Sequence, residues 1–391
     1  MDVRVSNAMN VHAVSTIDAS PSPAFLGETN PVRRQIVKPQ LPVSTSFLAA
    51  FEDRALVYDC FFDAAGKRIL LVGPPFYGLE THWRGATIRA LPSRRVLKPA
   101  FIASISQLLV ALDGAPEGTT AIGIEIAGET LDLPVRANLA TVFAGRRVLF
   151  SMNKNNDLDW IRFWARHHAR YHGTDTVVLF DNGSSRYGTG ELVDALRGVE
   201  GIDMVSVPSW PWRFGAKDDR LKVDPFWSHF LQNCSMNVVL RRFAGQAHSI
   251  LNCDVDELVW TGAGRSIHDM VRASVTGFYT FKGQWIEAVA DRSDINDHRR
   301  FHYRLRDANA RFWRDSKWVL DPTRKWVASL RVHPYWHWLD RRPLLSKQRA
   351  PNAFYWHFKG INTNWKVARA VADAPDPALH EVDPRLPAEF S

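Results

Sequence analysis

The sequence predicts an α/β protein: a mostly parallel, Rossmann-like sheet with helices on both faces, preceded by a smaller β-rich domain. Two observations predict it. Strand-like and helix-like hydrophobic patterns alternate between residues 147 and 252, which is typical of a parallel sheet. The 15 Trp residues are also distributed unevenly, since only Trp83 precedes residue 150 and the others lie between Trp160 and Trp365. We therefore place a domain boundary near residue 146.

The composition is that of a globular protein. Hydrophobic residues make up 46% of the 391 residues and charged residues 23%, which excludes a mainly disordered or fibrous chain. The three Cys residues are scattered, so the sequence predicts neither a disulfide framework nor a Cys-rich zinc site.

Net charge and hydropathy exclude few classes of function. A formal net charge of +8 would suit nucleic acid, an anionic membrane or an anionic small ligand, and it selects none of them. The first 22 residues lack the apolar segment of a signal peptide, and the longest apolar stretch, 101–112, is shorter than the ~20 residues that span a bilayer. We expect a cytoplasmic protein, with association at the inner face of the membrane as a further option.

The N-terminal part divides into a leader and a β-rich domain. Residues 1–40 are rich in Pro and small polar residues and predict a flexible leader. Residues 41–145 form the β-rich domain, whose short runs at roughly ten-residue spacing predict a sandwich or barrel. The predicted strands are Ala55–Phe62, Arg68–Val72, Thr87–Leu91, Gln107–Leu112, Ala121–Ile126 and Glu129–Leu133.

Residues 146–372 form the predicted α/β domain, and residues 373–391 a flexible tail. Its predicted strands are Arg147–Met152, Thr176–Phe180, Met204–Val207 and His248–Asn252. Its predicted helices are Asp157–His172, Glu191–Arg197 and Phe226–Phe243.

Polar clusters follow three of these strands, at 153–156, 181–185 and 254–257. Open α/β sheets bind ligands at the carboxyl ends of their strands, so we expect the clusters to converge on one site. Asp181 and Asn182 could read the N–H and carbonyl groups of a nucleotide base, although a plain strand–helix turn uses the same residue types.

Asp254 and Asp256 come directly after a predicted strand. In extended backbone, residues i and i+2 point to one side, so both carboxylates can face one ligand. Mg²⁺ or Mn²⁺ fits between them because these ions take oxygen ligands and bridge to phosphates. A solvated turn is the alternative for any isolated Asp-x-Asp.

Other patterns are weaker. His168 and His172 have the i, i+4 spacing of a shared metal site but lack a nearby third ligand, and the adjacent Arg166 and His167 predict a solvated helix face. Arg residues between 299 and 314 could bind nucleic acid, but an acceptor-site rim or a solvated helix explains them equally well.

The ordered motifs between residues 147 and 368 resemble glycosyltransferases of the family 2 / family 92 type, which have a GT-A fold. The resemblance rests on Asn153–Trp160, Gly173, Val177–Ser184, Gln232, Asn237, Cys253–Leu258, Lys317, Pro322, Val332–His333 and His357–Gly360. It implies a nucleotide-sugar donor, a glycan or glycolipid acceptor and a Mn²⁺ or Mg²⁺ cofactor. No nucleic-acid partner is expected.

The resemblance also implies residue roles. Asn153, Asp181 and Gln232 would join Asn182 in contacting the nucleotide. Asp254 would hold the ribose and metal side, and Asp256 the metal. His357 or His333 would complete the metal shell, and Lys359 would add a charge to the phosphates.

An inverting transfer also needs a carboxylate that takes the proton of the acceptor hydroxyl. Glu287, Asp291 and Asp294 lie between the Asp254–Asp256 motif and His333 and are the candidates; Glu257 is a further one. We therefore predict a metal-dependent glycosyltransferase that uses a nucleotide-sugar, with UDP-sugars favoured. The alternatives are a metal-dependent nucleotidyl- or phosphotransferase and a non-catalytic protein that binds glycan or nucleic acid.

Overall fold

A computed structural model describes residues 14–36, 43–216, 228–292, 294–335, 338–342, 349–363 and 369–390. Before residue 146 the strands are β1 (Ser15–Thr16), β2 (Ala24–Phe25), β3 (Ala55–Val57), β4 (Asp59–Phe62), β5 (Arg68–Gly73), β6 (Thr87–Leu91), β7 (Val96–Leu97), β8 (Pro99–Ala103), β9 (Leu108–Asp113), β10 (Ala121–Ile126) and β11 (Glu129–Pro134). The helices there are α1 (Thr45–Ala50) and α2 (Glu80–Arg84).

After residue 146 the strands are β12 (Arg147–Asn153), β13 (Thr176–Asp181), β14 (Met204–Ser206), β15 (Ser249–Asn252), β16 (Glu257–Thr261), β17 (Phe278–Ile286), β18 (Tyr303–Leu305), β19 (Phe312–Leu320), β20 (His333–Tyr335), β21 (Trp338–Asp340), β22 (Arg349–Phe358) and β23 (His380–Val382). The helices are α3 (Leu158–His172), α4 (Thr189–Arg197), α5 (Phe230–Val238), α6 (Ile267–Ala273) and α7 (Ala308–Arg311). A π-helical turn, Val239–Phe243, extends α5, and 3-10 turns cover Gly262–Gly264, His298–Arg300 and Ala388–Phe390.

The protein is mixed α/β, with one large sheet of nine strands in the order β1-β14-β13-β12-β15-β19-β17-β22-β16. The first five strands are parallel, as predicted for β12 to β15. The directions of the remaining four strands are mixed: β19 is antiparallel to β15 and β17, β22 is parallel to β17, and β16 is antiparallel to β22. Of the eight strand pairings described in this sheet, five are parallel, so the prediction of a mostly parallel sheet is confirmed, whereas the antiparallel pairings of this half were not predicted.

Helices contribute to the core on both faces of the large sheet. Alternate residues of β12 separate the two faces, since Val148 and Phe150 join a core with α5, whereas Leu149 joins a core with α3, α4 and α6. Helix α3 begins at the Asp157 cap and ends at Gly173, whose positive φ suits a C-terminal cap. This packing holds the carboxyl ends of β12, β13 and β15 at one edge.

Two antiparallel four-stranded sheets form the β-rich region, β4-β5-β9-β8 and β11-β10-β6-β7. Strand β5 is buried on both faces: Ile69 and Leu71 pack between the two sheets, whereas Leu70 and Val72 join the core that contains α5. A buried ion pair, Arg242–Asp59 at 2.9 Å, adds to this junction. The β-rich and α/β regions therefore share a core.

The segments predicted as leader and tail contain packed residues. β1 pairs with β14 at the edge of the large sheet, and the buried Arg34 donates to the carbonyls of Pro75 and Glu52. At the other end, β23 pairs with β18. Among the described residues, none of the helices has the length and hydropathy needed to cross a membrane.

Candidate functional site

Three polar clusters meet at the carboxyl edge of the parallel strands. Asn153 and Asp181 are register partners at the ends of β12 and β13, and the Asn153 side-chain amide donates to the Asp181 carboxylate at 2.9 Å. Two residues earlier on β12, the Ser151 hydroxyl donates to Asp254 at 3.4 Å. The structure thus brings together the strand ends that the sequence analysis singled out.

The Asp181 carboxylate is held by neutral donors. The Ser184 backbone N–H donates to it at 3.0 Å and the Ser184 hydroxyl at 2.6 Å, in addition to Asn153. Tyr187 lies against the same cluster, because its hydroxyl contacts the Asn153 amide at 3.3 Å. These bonds preorganise the strand–helix turn around Asp181.

Asn182 and Gln232 are placed differently. The Asn182 amide donates to the carbonyls of Trp210 and Trp212, both at 2.8 Å, and so holds the segment after β14. Gln232 is buried in α5, and within the described ranges no hydrogen bond joins it to Asn153 or Asp181.

Asp254 and Asp256 lie on a turn and contact different partners. The segment after β15 is a turn closed by the Glu257 N–H donating to the Asp254 carbonyl at 3.0 Å, and the Glu257 carboxylate accepts the Asp254 N–H at 2.8 Å. The expectation of an extended Asp-x-Asp is therefore wrong, because the turn sends the two side chains to different partners.

Asp256 faces His357, with Nε2 to carboxylate at 3.0 Å. Glu257 is the register partner of His357 across β16 and β22. Asp256, Glu257 and His357 each offer one ligand atom, and these atoms lie within 4.8 Å of one another. This cluster is the candidate metal centre.

Asp254 faces Lys317 instead. The Lys317 ammonium is buried in β19 and lies 2.6 Å from Asp254 and 3.1 Å from Glu257. Burial alone would lower the pKa of Lys317, but these two carboxylates outweigh it and raise the pKa. Lys317 is therefore a fixed positive charge that holds Asp254 and Glu257 together.

The centre carries more negative than positive groups. Burial, followed by the charges of Asp254 and Asp256, raises the pKa of Glu257 to about 7, although Lys317 and His357 oppose the rise. Burial would lower the pKa of His357, yet Asp256 raises it. Two carboxylates and an imidazole are a suitable donor set for Mn²⁺, and the excess of carboxylates favours a divalent cation.

His333 is not part of this cluster. It is buried at the start of β20, a strand that packs against α5, and neither imidazole nitrogen has a hydrogen-bond partner among the described residues. Burial, with the nearby Arg241 charge, lowers its pKa to about 4. Of the two histidines considered for the metal, only His357 lies beside Asp256.

The base candidates occupy distinct surroundings. Glu287 accepts from the Lys359 ammonium through both oxygens, at 2.8 Å each. Asp291 is exposed and accepts from the Tyr303 hydroxyl at 2.7 Å, with His302 3.5 Å away. Asp294 is exposed on the same segment. Only Glu287 is linked to a residue beside the metal centre.

Trp285 lies between Lys359, the partner of Glu287, and His357 of the candidate metal centre. Its ring centroid is 4.2 Å from that of His357, and the Lys359 ammonium lies 5.1 Å from the Trp285 centroid. Strands β17 and β22 are parallel here, with Trp285 opposite His357. Trp285 was not singled out by sequence reasoning, since a lone Trp in a Trp-rich region carries no signal of its own.

The histidines of α3 are buried, so the prediction of a solvated face at His167 is wrong. His167 and His172 both donate through Nε2 to the Val259 carbonyl, at 2.8 and 2.9 Å. His168 contacts the Trp164 carbonyl through Nδ1. These histidines tie α3 to β16, the strand that begins at Glu257.

Comparison with known proteins adds no assignment: no protein-family model matches the chain, and a search of curated proteins finds no significant match.

Proposed function

We propose that the protein is a metal-dependent glycosyltransferase with a GT-A-like domain, which transfers a sugar from a nucleotide-sugar to a hydroxyl of a glycan or glycolipid. The observation that carries the proposal is the Asp256–Glu257–His357 cluster, whose ligand atoms lie within 4.8 Å of one another. It adjoins the edge where β12, β13 and β15 end, which is where sheets of this kind bind nucleotides.

The chain offers a group for each requirement of the transfer. Asp256, Glu257 and His357 would hold Mn²⁺ or Mg²⁺, which supplies positive charge for the leaving diphosphate. Lys317 keeps Asp254 and Glu257 in place. The preorganised Asn153–Asp181 turn lies where the nucleoside would bind.

The reaction is a displacement at the anomeric carbon. The acceptor oxygen bonds to this carbon, the bond from carbon to the diphosphate oxygen breaks, and the nucleoside diphosphate leaves with the electron pair. A carboxylate takes the hydroxyl proton. We assign this role to Glu287, because it is the candidate base connected through Lys359 and Trp285 to the metal centre.

A thermal-shift panel of nucleoside diphosphates, each with and without Mn²⁺, tests the proposal. We expect one nucleotide to raise the melting temperature only when Mn²⁺ is present. Asp256→Asn should abolish this shift, whereas Asp159→Asn, in the other Asp-x-Asp of the chain, should preserve it. A wild-type protein that no nucleotide stabilises would contradict the proposal.

A product assay separates the enzyme classes. Incubation with nucleotide-sugars and Mn²⁺ should release a nucleoside diphosphate, since the bond that breaks lies between carbon and oxygen. Release of a nucleoside monophosphate would indicate cleavage within the diphosphate and favour the nucleotidyl- or phosphotransferase alternative.

A further inference from the structure

The contact between Lys359 and Glu287 joins two residues whose expected roles conflict. A lysine that binds the donor phosphates must leave its ammonium free for them, and a base must have a carboxylate oxygen free for the acceptor hydroxyl. Here the Lys359 ammonium bridges both oxygens of Glu287 at 2.8 Å. While this ion pair is intact, each residue directs the group needed for its expected role at the other, so the contact competes with both roles.

The ion pair is partly buried and is anchored by the backbone. The Glu287 side chain is 12% exposed and that of Lys359 27%. The Lys359 backbone N–H donates to the Ile286 carbonyl at 3.0 Å, which fixes the end of β22 against the end of β17. The contact is thus built into the sheet rather than formed by two mobile surface side chains.

Lys359 also faces the metal centre across a single ring. Its ammonium lies 5.1 Å from the centroid of Trp285, the Arg369 guanidinium lies 5.2 Å from the same centroid, and the ring centroid of His357 is 4.2 Å away. An indole ring attracts a cation, so Trp285 offers the ammonium a favourable position between Glu287 and His357. Lysine has a flexible four-carbon stem that permits such a movement.

We propose that Lys359 is an exchangeable positioning residue: it occupies Glu287 in the absence of donor, moves to the diphosphate when the donor binds, and thereby releases Glu287 to act as the base. The proposal rests on the proposed function. A diphosphate bound at the metal centre presents several anionic oxygens, and it competes with a single carboxylate for the same ammonium. Donor binding and release of the base then become one event, so the donor binds before the acceptor.

A double-mutant cycle tests the exchange without a known acceptor. The probes are Mn²⁺ with inorganic pyrophosphate and Mn²⁺ with UDP, and the dissociation constant is measured by calorimetry. Because the diphosphate must take Lys359 from Glu287, Glu287→Gln should tighten binding by about 3- to 10-fold. Lys359→Met should weaken it by about 10-fold, and the double variant should bind within about two-fold of Lys359→Met.

The controls are Glu80→Gln and Lys67→Met, which remove one charge each from the exposed surface of the β-rich region. Both should leave the dissociation constant unchanged, and circular dichroism should confirm that all variants are folded. Glu287→Gln binding that is equal to or weaker than that of the wild type would overturn the exchange, as would tightening that persists in the Lys359→Met background. If the wild type binds neither probe, the proposed function fails and the exchange fails with it.

Discussion

The two carboxylate clusters at the edge of the large sheet are balanced in different ways. Asp181 is surrounded by neutral donors, namely the Asn153 amide and the Ser184 hydroxyl and N–H. The candidate metal centre instead sets Asp254, Asp256 and Glu257 against one buried ammonium and one imidazole. The first arrangement is complete within the protein, and the second gains from an added cation. Neutral hydrogen bonds therefore hold the turn around Asp181, whereas the second cluster carries unbalanced negative charge.

Removing the buried ammonium of Lys317 should have the largest effect on the free energy of unfolding. Lys317→Met leaves the buried Glu257 and the partly exposed Asp254 without their positive partner, so we expect a loss of about 3–5 kcal/mol in the free energy of unfolding. Chemical denaturation followed by circular dichroism measures it. Millimolar Mn²⁺ should restore part of the loss, because a divalent cation replaces the missing charge. A loss below about 1 kcal/mol would show that Lys317 is not the charge that balances the centre.

Acidification should destabilise the protein through its buried histidines. Burial lowers the pKa of His167 to about 3 and those of His172 and His298 to about 4, against an ordinary value of 6.5. The unfolded chain therefore binds protons first, and stability that is present above pH 6.5 is lost as the pH falls towards 4. Each such histidine contributes about 1.4 kcal/mol per pH unit within this window.

Glu257 in the candidate metal centre opposes this loss of stability at low pH. The pKa of Glu257 is raised to about 7, so on acidification the folded state binds that proton before the unfolded state does. This carboxyl therefore adds stability as the pH falls from about 7 to about 4.5. The three histidines outweigh this single carboxyl, so the net stability falls.

A matched substitution isolates the histidine contribution. His167→Gln keeps a donor for the Val259 carbonyl and removes the titration, so the slope of unfolding free energy between pH 5 and 6 should fall by about 1.4 kcal/mol per unit. An unchanged slope for His167→Gln would mean that His167 does not carry this dependence.

A smaller loss of stability than that of Lys317→Met is expected at the neutral cluster. Asp181→Asn replaces one acceptor oxygen by a donor that faces the Ser184 donors, so we expect a loss of about 1–3 kcal/mol. Unlike Lys317→Met, this variant should not be rescued by Mn²⁺. The same denaturation series, run with and without the metal, measures both; rescue of Asp181→Asn would remove the distinction between the clusters.

Much of the architecture follows from local sequence patterns. The alternating patterns of residues 147–252 predicted four strands, and the structure has all four as parallel strands with nearly the same bounds. The antiparallel half was missed, since β17 mixes Lys282, Gly283 and Gln284 into an apolar run and lacks a clear alternation. Likewise, the polar residues around His167 predicted a solvated helix face. This prediction was wrong because the burial of His167 depends on a strand that is distant in the sequence.

The sequence by itself determined the order of strands and helices up to residue 252 and the polar residues that follow each strand, because hydrophobic periodicity and turn chemistry are local. Only the tertiary structure decided which charges meet. Asp256 and His357 are 101 residues apart, and Lys317 reaches Asp254 across 63 residues. Electrostatic interactions depend on the distance between charged groups in space and on their burial. The positions of β19 and β22 in the sheet determine both for Lys317 and His357.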